Sequence, residues 1–221
     1  MIVDERMTAF INSLDTGNTP FLTELEVKAL EDHVPIIRRE MQSFLKVLLQ
    51  MQRPVNILAV GTAVGFSTLL FCEYAPKEAK ITTIEKYEKR IPIAKENFRK
   101  AGKESQIRFL EGDATEILAE LEGSYDFIFM DAAKGQYIHF LPEVLRVLDK
   151  NGVLITDNVL QDGDVIESRF AVERRNRTIH KRMREYLFEL THNEGLLTSV
   201  VPLGDGIAIT MKSHEKREET T

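Results

Sequence analysis

Short apolar runs alternate with amphipathic stretches from residue 56 to residue 156, and this alternation constrains the fold more than any other feature of the 221-residue chain. The runs have the length and composition of buried strands, and they cover residues 57–60, 81–84, 107–110, 127–130 and 153–156. Helical spacing of apolar residues is seen between them, from Phe66, over 88–101, from Thr115 and over 137–148. Such repeated βα units predict a parallel sheet with helices on both faces, as in Rossmann-like folds.

The pattern changes after residue 194, where two more strand-like runs follow each other closely. Residues 196–201 and 207–211 are joined by five residues, which are too few for the crossover that parallel neighbours need. These two strands must run antiparallel if they are neighbours. The sequence therefore predicts an α/β fold with a mostly parallel seven-stranded sheet and one antiparallel strand near its edge.

The remaining segments indicate a single domain over residues 1–212. Residues 1–52 carry apolar residues at helical spacings and are predicted to form a helical cap or a dimer surface. Residues 213–221 are polar and charged and are predicted to be a disordered tail. The net charge of −6 argues against uniform attraction to nucleic acid, so that any contact with a polyanion must be local.

Neither secretion nor membrane insertion is expected. The N-terminal segment lacks the basic start and apolar core of a secretory signal, and no apolar run reaches membrane-spanning length. The sole cysteine, Cys72, lies among apolar residues of a predicted helix, so we expect a buried thiol and no disulfide. These features predict a cytoplasmic protein.

Polar side chains follow two of the predicted strands at the point where each strand ends. Asp131 comes directly after one buried run, and Asp157 and Asn158 follow the next run along the chain. Because the carboxyl ends of parallel strands meet at one edge of a sheet, we expect these side chains to converge. Their oxygens suit Mg²⁺ or another hard divalent cation, and Lys134 lies close by for activating a hydroxyl. The alternatives are a polar turn and an ordinary surface ion pair.

A glycine-rich turn follows the first predicted strand. Gly61 and Gly65 flank the turn, and Glu85 ends the second strand 20 residues beyond Gly65. Glycines here permit close backbone approach, and an acid at the next strand end accepts hydrogen bonds from ribose hydroxyls. The Gly-x-x-x-Gly spacing differs from the dinucleotide fingerprint, so a nucleoside without phosphates, such as S-adenosylmethionine (SAM), fits better. Asp113, after the third strand, is placed to meet adenine. The alternative is a tight strand-to-helix turn without a ligand.

Six motifs occur in an order that resembles one known family. They are Val-Gly-Thr-Ala-Val-Gly-Phe-Ser, Thr-Ile-Glu, Gly-Asp-Ala, Asp-Ala-Ala-Lys-Gly-Gln-Tyr, Thr-Asp-Asn-Val-Leu and Pro-Leu-Gly-Asp-Gly-Ile-Ala-Ile. The chain resembles the metal-dependent O-methyltransferases related to catechol and caffeoyl-CoA O-methyltransferases. Within that family it is most similar to the bacterial enzymes that methylate 5-hydroxyuridine in tRNA. The resemblance implies a reversed seventh strand, SAM as methyl donor, a divalent cation such as Mg²⁺, and a homodimer.

The resemblance also implies roles for individual residues. The positions that match the family's cofactor-binding residues are Ile37, Gly61, Gly65, Ser67, Glu85, Asp113, Ala114 and Asp131. Among them, Ser67 would hold the methionine carboxylate and Glu85 the ribose. Those that match its metal ligands are Asp131, Asp157 and Asn158. Lys134 matches the lysine that assists removal of the acceptor proton, and Asp131 would share the catalytic task with it.

A strongly basic segment covers residues 169–184. It contains seven basic residues against one acid, Glu173, and it follows the strand of the predicted metal ligands, so we expect it beside the substrate mouth. The predicted RNA-binding residues are Arg169, Arg174, Arg175, Arg177, Lys181 and Arg182. Such a patch would neutralise phosphates while the pocket reads the base. The alternative is a solvated helix face.

These features predict an enzyme that uses SAM and Mg²⁺ to methylate 5-hydroxyuridine in tRNA to 5-methoxyuridine. Its expected partner is the anticodon stem-loop, with wobble position 34 as the target, because a base that is already single-stranded is the easiest to present to the site. Two alternatives stay open: an O-methyltransferase of small catechol-like phenols, and a catalytically silent RNA-binding module that retains the cofactor pocket.

Overall fold

Seven strands form one sheet in this computed structural model, which describes residues 3–213. The strands are β1 (Asn56–Val60), β2 (Lys80–Glu85), β3 (Ile107–Glu111), β4 (Tyr125–Met130), β5 (Leu148–Thr156), β6 (Leu196–Val201) and β7 (Ile207–Lys212). Their order in the sheet is β3-β2-β1-β4-β5-β7-β6. β7 pairs antiparallel with both β5 and β6, and the other pairs are parallel. The predicted Rossmann-like α/β fold with one reversed strand is confirmed.

Eight α-helices accompany the sheet within the described residues. They are α1 (Glu5–Ser13), α2 (Pro20–Glu31), α3 (Arg39–Gln52), α4 (Phe66–Tyr74), α5 (Ile91–Lys100), α6 (Ala114–Glu120), α7 (Tyr137–Val147) and α8 (Arg177–His192). α5 begins three residues later than predicted, with Pro92 in its first turn, where a missing N–H costs no helical hydrogen bond. α7 ends one residue earlier than predicted because Leu148 already belongs to β5.

Alternating residues of each central strand face opposite layers. In β4, Phe127 and Phe129 belong to the core shared with α2, α3, α4 and α5. Ile128 and Met130 belong to the core shared with α6, α7 and α8. Because both faces are covered, residues 127–130 of β4 are all apolar, and the polar Asp131 follows directly after them.

The two ends of the described chain differ in their packing. α1 contains no buried residue, whereas α2 and α3 pack into the core, and α3 ends at Gln52. At the other end, the backbone N–H of Ser213 donates to the Gly195 carbonyl at 2.8 Å. The rest of the predicted tail, residues 214–221, lies outside the described residues. Within residues 3–213 no helix is long and apolar enough to cross a membrane. Cys72 is buried, as predicted.

Candidate active site

A cavity of about 630 Å³ opens where the carboxyl ends of the central strands meet. Its volume lies within the usual range for small-molecule sites. The predicted nucleoside-binding residues on its wall are Ile37, Gly61, Glu85, Asp113 and Ala114. The predicted metal and proton-transfer residues on its wall are Asp131, Lys134, Asp157 and Asn158. The fold thus brings residues from 37 to 158 together in one place, whereas the predicted cofactor residues Gly65 and Ser67 do not line the cavity.

Gly61 allows the ends of β1 and β4 to approach closely. Its φ is +107°, and a Cβ at this position would lie 2.0 Å from the backbone oxygen of Asp131. Gly65 serves a different contact, because a Cβ there would lie 2.5 Å from the ring of Phe98. Ser67 is 8% exposed in the first turn of α4, which explains its absence from the cavity wall. Gly61 therefore shapes the cavity, whereas Gly65 serves the packing of α4 and α5.

The Glu85 carboxylate organises the rim next to this turn. It accepts hydrogen bonds from the backbone N–H groups of Ala63 at 2.7 Å, Lys86 at 3.0 Å and Tyr87 at 2.8 Å. Ala63 itself has a φ of +48°, a conformation that non-glycine residues adopt rarely. The carboxylate thus holds the glycine-rich turn and the end of β2 in one arrangement.

Asp113 forms the neighbouring part of the wall and caps α6. Its side chain accepts from the Thr115 N–H at 2.8 Å and from the Lys86 ammonium at 3.2 Å. The bonds from Thr115 and then Lys86 lower the pKa of the Asp113 carboxyl. The site therefore has an ionised acceptor at this point of the rim, fixed by a helix start.

Asp131 and Asp157 form a pair of carboxylates in the same cavity, with Asp157 5% exposed and Asp131 partly buried. Burial and then the charge of Asp131 raise the pKa of Asp157 to about 7. Burial also raises the pKa of Asp131, an effect that the Lys134 ammonium opposes. The Asn158 N–H donates to Asp157 Oδ1 at 2.7 Å, and Asn158 adopts a φ of +58°. Two carboxylates kept from water beside each other form a site in which a cation is favoured.

The donor chemistry of this pair fits a hard divalent cation. Among residues 3–213, no group of three or more His, Cys, Asp or Glu side chains is arranged to hold a metal ion. The predicted set has two carboxylates, and its third member, Asn158, is an amide. Oxygen donors of these two kinds are those that Mg²⁺ and Ca²⁺ prefer, and zinc would be expected to take His or Cys.

Asp205 is a site residue that sequence reasoning missed. Its side chain is 2% exposed and accepts a hydrogen bond from the Lys134 ammonium at 3.1 Å. The same carboxylate accepts the backbone N–H of Asp162. It therefore joins three segments at the rim: the turn after β4, the loop after β5 and the β6–β7 turn. A signal was present, because β6 runs parallel to β5 and so delivers the Gly204-Asp205-Gly206 turn to the carboxyl edge.

The basic segment lies on α8 and on the loop before it, and its six predicted RNA-binding residues do not line the cavity. Two of them donate to backbone carbonyls. The Arg177 guanidinium donates to the carbonyl oxygens of Val172 at 3.2 Å and Phe170 at 3.4 Å. The Arg182 guanidinium donates to the carbonyl oxygen of Gly135 at 3.0 Å, in the turn that carries Lys134. These two guanidiniums hold the structure around the site together.

The other four predicted RNA-binding residues are exposed. Arg175 pairs with Glu173 at 2.7 Å, and Lys181 pairs with Glu185 at 3.6 Å. Arg169 and Arg174 have neither a hydrogen bond nor an ion pair from their side chains within the part of the chain that the structure describes. Exposed pairs of this kind are weak, so most of the segment's charge faces solvent.

Comparisons with known proteins define the class. The family model described as O-methyltransferase matches residues 13–213. A catechol O-methyltransferase of Niastella koreensis is 30% identical over 168 residues, which are 74% of this chain and 70% of that protein. A caffeoyl-CoA O-methyltransferase of Medicago sativa is 32% identical over 182 residues, which are 75% and 70% of the two chains. The chain belongs to the O-methyltransferase family, as the motifs predicted.

Solved structures agree with this assignment. A Staphylococcus aureus protein, described provisionally as a caffeoyl-CoA O-methyltransferase, superposes with a TM-score of 0.86 at 33% identity and covers 95% of this chain and 100% of its own. A Podospora anserina methyltransferase solved with SAH bound has a TM-score of 0.87 at 24% identity, with 95% of both chains covered. At 24% identity, the similarity to the Podospora anserina protein is evidence for the fold alone.

Proposed function

We propose that this protein is a SAM- and Mg²⁺-dependent O-methyltransferase whose acceptor is 5-hydroxyuridine at the wobble position of tRNA. The observation that carries the reaction is one cavity with two chemically different walls. Gly61 and Glu85 supply a nucleoside-type wall, and Asp131 and Asp157 supply a pair of neighbouring carboxyl groups. Donor and acceptor would thus be held side by side, which is the main requirement of a direct methyl transfer.

In the proposed reaction the carbon–sulfur bond of SAM breaks and a carbon–oxygen bond to the acceptor forms, so that S-adenosylhomocysteine and a proton are the other products. A divalent cation held by Asp131, Asp157 and Asn158 would favour the deprotonated form of the acceptor hydroxyl. Lys134 adds a positive charge at the rim, where Asp205 holds it. Gly61 brings the ends of β1 and β4 together, so the two binding sites share a wall.

The tRNA acceptor is supported by the basic segment. Residues 169–184 carry seven positive charges against one negative charge in a chain with a net charge of −6. Arg169 and Arg174 are exposed, and within residues 3–213 their guanidinium N–H groups have no acceptor, so they can donate to a ligand. A charged surface of this kind binds phosphates in a salt-dependent manner, and a base in a single-stranded loop needs little energy to leave its stack.

A second candidate is methylation of small catechol-like phenols. It is favoured by the names of two relatives, a catechol O-methyltransferase at 30% identity and a caffeoyl-CoA O-methyltransferase at 32% identity. A phenol would need the same carboxylate pair but no basic segment. A module that binds RNA and transfers no methyl group is the third alternative.

Methyl transfer from labelled SAM separates these candidates. The acceptors are an anticodon stem-loop that carries 5-hydroxyuridine and catechol, each with Mg²⁺ and with a chelator. We expect Mg²⁺-dependent transfer to the stem-loop and weak transfer to catechol. Efficient transfer to catechol alone would support the second candidate, and RNA binding without transfer to either acceptor would support the third.

Salt dependence tests the basic segment. Replacing Arg169 and Arg174 together with Ala should reduce the slope of log binding constant against log salt by about 1.4, since each phosphate contact in a single strand contributes about 0.7. The matched control is Arg99→Ala with Lys100→Ala on α5, which packs in the core on the other side of the sheet from α8. An unchanged slope in the first variant would remove these residues from the RNA interface.

A homodimer is part of the proposal. α1 and the residue that follows it expose an apolar set whose members are 46–65% exposed, namely Met7, Phe10, Ile11 and Leu14. An exposed apolar stripe on a helix without buried residues is typical of a protein contact. Analytical ultracentrifugation of the Phe10→Glu variant should give monomers where the unaltered protein gives dimers. Identical sedimentation of the two proteins would refute this assignment of α1.

A further inference from the structure

Two strongly exposed apolar side chains lie on the β5–α8 loop, which covers residues 157–176. Ile166 is 79% exposed and Phe170 is 86% exposed, more than the other large apolar side chains that stand out within residues 3–213. We propose that Phe170 is a stacking surface for a nucleotide that neighbours the methylated base. This inference rests on the proposed RNA substrate and adds to it a contact that the cationic residues do not provide.

The exposed ring stands on a backbone that is held at both ends. Val165 and Val172 are 5% and 3% exposed and anchor the loop in the core. The Arg184 guanidinium donates to the Val165 carbonyl at 2.8 Å, and Arg177 donates to the carbonyls of Val172 and Phe170. Phe170 is therefore presented to solvent by a fixed loop, which lowers the entropic cost of using it as a contact.

The loop also starts at the cavity. Asp162 lines the cavity, and its N–H is bonded to the buried Asp205 carboxylate. Since an extended chain spans at most about 3.5 Å per residue, Ile166 lies within about 14 Å and Phe170 within about 28 Å of Asp162. These upper limits keep both side chains within a few nucleotides of a base that enters the cavity.

The charges around Phe170 select the kind of partner. Arg169 is its sequence neighbour, and Arg174 lies four residues on; both are exposed and bear no side-chain bond within the described part. The acids between residues 165 and 176 are Glu167 and Glu173, and Glu173 already pairs with Arg175. An aromatic face beside free guanidiniums matches the alternation of bases and phosphates in a single strand of nucleic acid. A second copy of this chain could pack an apolar side chain against the Phe170 ring, but it would also have to place acidic residues opposite Arg169 and Arg174.

The test compares Phe170→Ala with Phe188→Ala. Phe188 is 61% exposed and stacks on His192, and it lies about 16 Å along α8 from the start of the helix, away from the loop. Methyl transfer is measured on an anticodon stem-loop with 5-hydroxyuridine and on the free nucleoside 5-hydroxyuridine. We expect Phe170→Ala to raise the KM for the stem-loop about 5- to 50-fold. We expect kcat, the nucleoside reaction, SAM affinity and thermal unfolding to stay unchanged, and Phe170→Trp to restore the KM.

Each other outcome is informative. An unaltered KM in Phe170→Ala, or an equal rise in Phe188→Ala, would overturn the stacking role. An equal loss with the free nucleoside would overturn it too, because the ring would then act on folding or chemistry. A shift to monomers in ultracentrifugation without a change in KM would assign the ring to a subunit contact. If the unaltered protein transfers no methyl group to the stem-loop, the proposed function fails and the stacking role fails with it. Normal transfer that Phe170→Ala does not affect refutes the stacking role alone.

Discussion

Replacing Gly61 with Ala should damage stability and activity together, for reasons that can be worked from two observations. The φ of +107° is strained for any residue with a Cβ, at about 1–3 kcal/mol. In addition, the new Cβ would lie 2.0 Å from the Asp131 carbonyl oxygen, where real contacts do not fall below 3.0 Å, so backbone must move by about 1 Å. We expect a total loss of at least about 3 kcal/mol, which lowers the melting temperature by about 6–12 °C in a chain of this size.

The matched control is Gly102→Ala. Gly102 also has a positive φ, +64°, but a Cβ there would meet no atom within 4 Å. It should therefore cost only the strain of the left-handed conformation, about 1–2 kcal/mol. Calorimetry measures both losses, and methyl transfer should fall about 100-fold in Gly61→Ala alone, because it displaces Asp131 by about 1 Å. Equal melting temperatures and equal rates in the two variants would refute the account of how β1 and β4 form the cavity.

Three further changes test other parts of the structure. Asp205→Asn keeps the size of the buried side chain but removes the charge that holds Lys134. We therefore expect kcat to fall about tenfold with SAM affinity unchanged. A normal kcat would contradict the role of this ion pair. Burial raises the pKa of the Cys72 thiol to about 12. Iodoacetamide at pH 8, followed by mass spectrometry, should therefore label the folded protein at least about 100-fold more slowly than the urea-unfolded protein. Equal labelling rates would show that the thiol is accessible in the folded protein. Tyr186→Phe removes the buried hydrogen bond between the Tyr186 and Thr156 hydroxyls, which is 2.6 Å long. The melting temperature measured by calorimetry should fall by about 2–8 °C. An unchanged melting temperature would mean that this hydrogen bond makes no net contribution to stability.

Much of the fold could be predicted because local patterns and short connections determine it. Residues 127–130 of β4 and 153–155 of β5 are all apolar because both faces of the sheet are covered there, and this is visible in the sequence as uninterrupted runs. The five residues between β6 and β7 exclude a parallel pair, which fixes the reversed strand. Parallel strands then place Asp131 and Asp157 at one edge without any knowledge of the packing.

The contacts between distant segments could not be predicted in this way. Lys134 and Asp205 are 71 residues apart, and their ion pair requires β7 to insert between β5 and β6. The arginines of the basic segment look alike in sequence, yet Arg182 of α8 is held by the Gly135 carbonyl while Arg174, in the loop before α8, faces solvent. Which of them serve the structure depends on how α8 packs on the turn after β4. Ser67 is another instance, since the packing of the first turn of α4 takes it away from the cavity wall.

The most direct test of the central claim is methyl transfer to the 5-hydroxyuridine stem-loop by protein freed of divalent ions, before and after Mg²⁺ is added. The claim is that Asp131 and Asp157 hold a cation without which the acceptor is not activated. We predict no transfer in the presence of chelator, full transfer after Mg²⁺ is restored, and no recovery in Asp157→Ala, which should still bind SAM. Undiminished transfer by the chelated protein would contradict the claim.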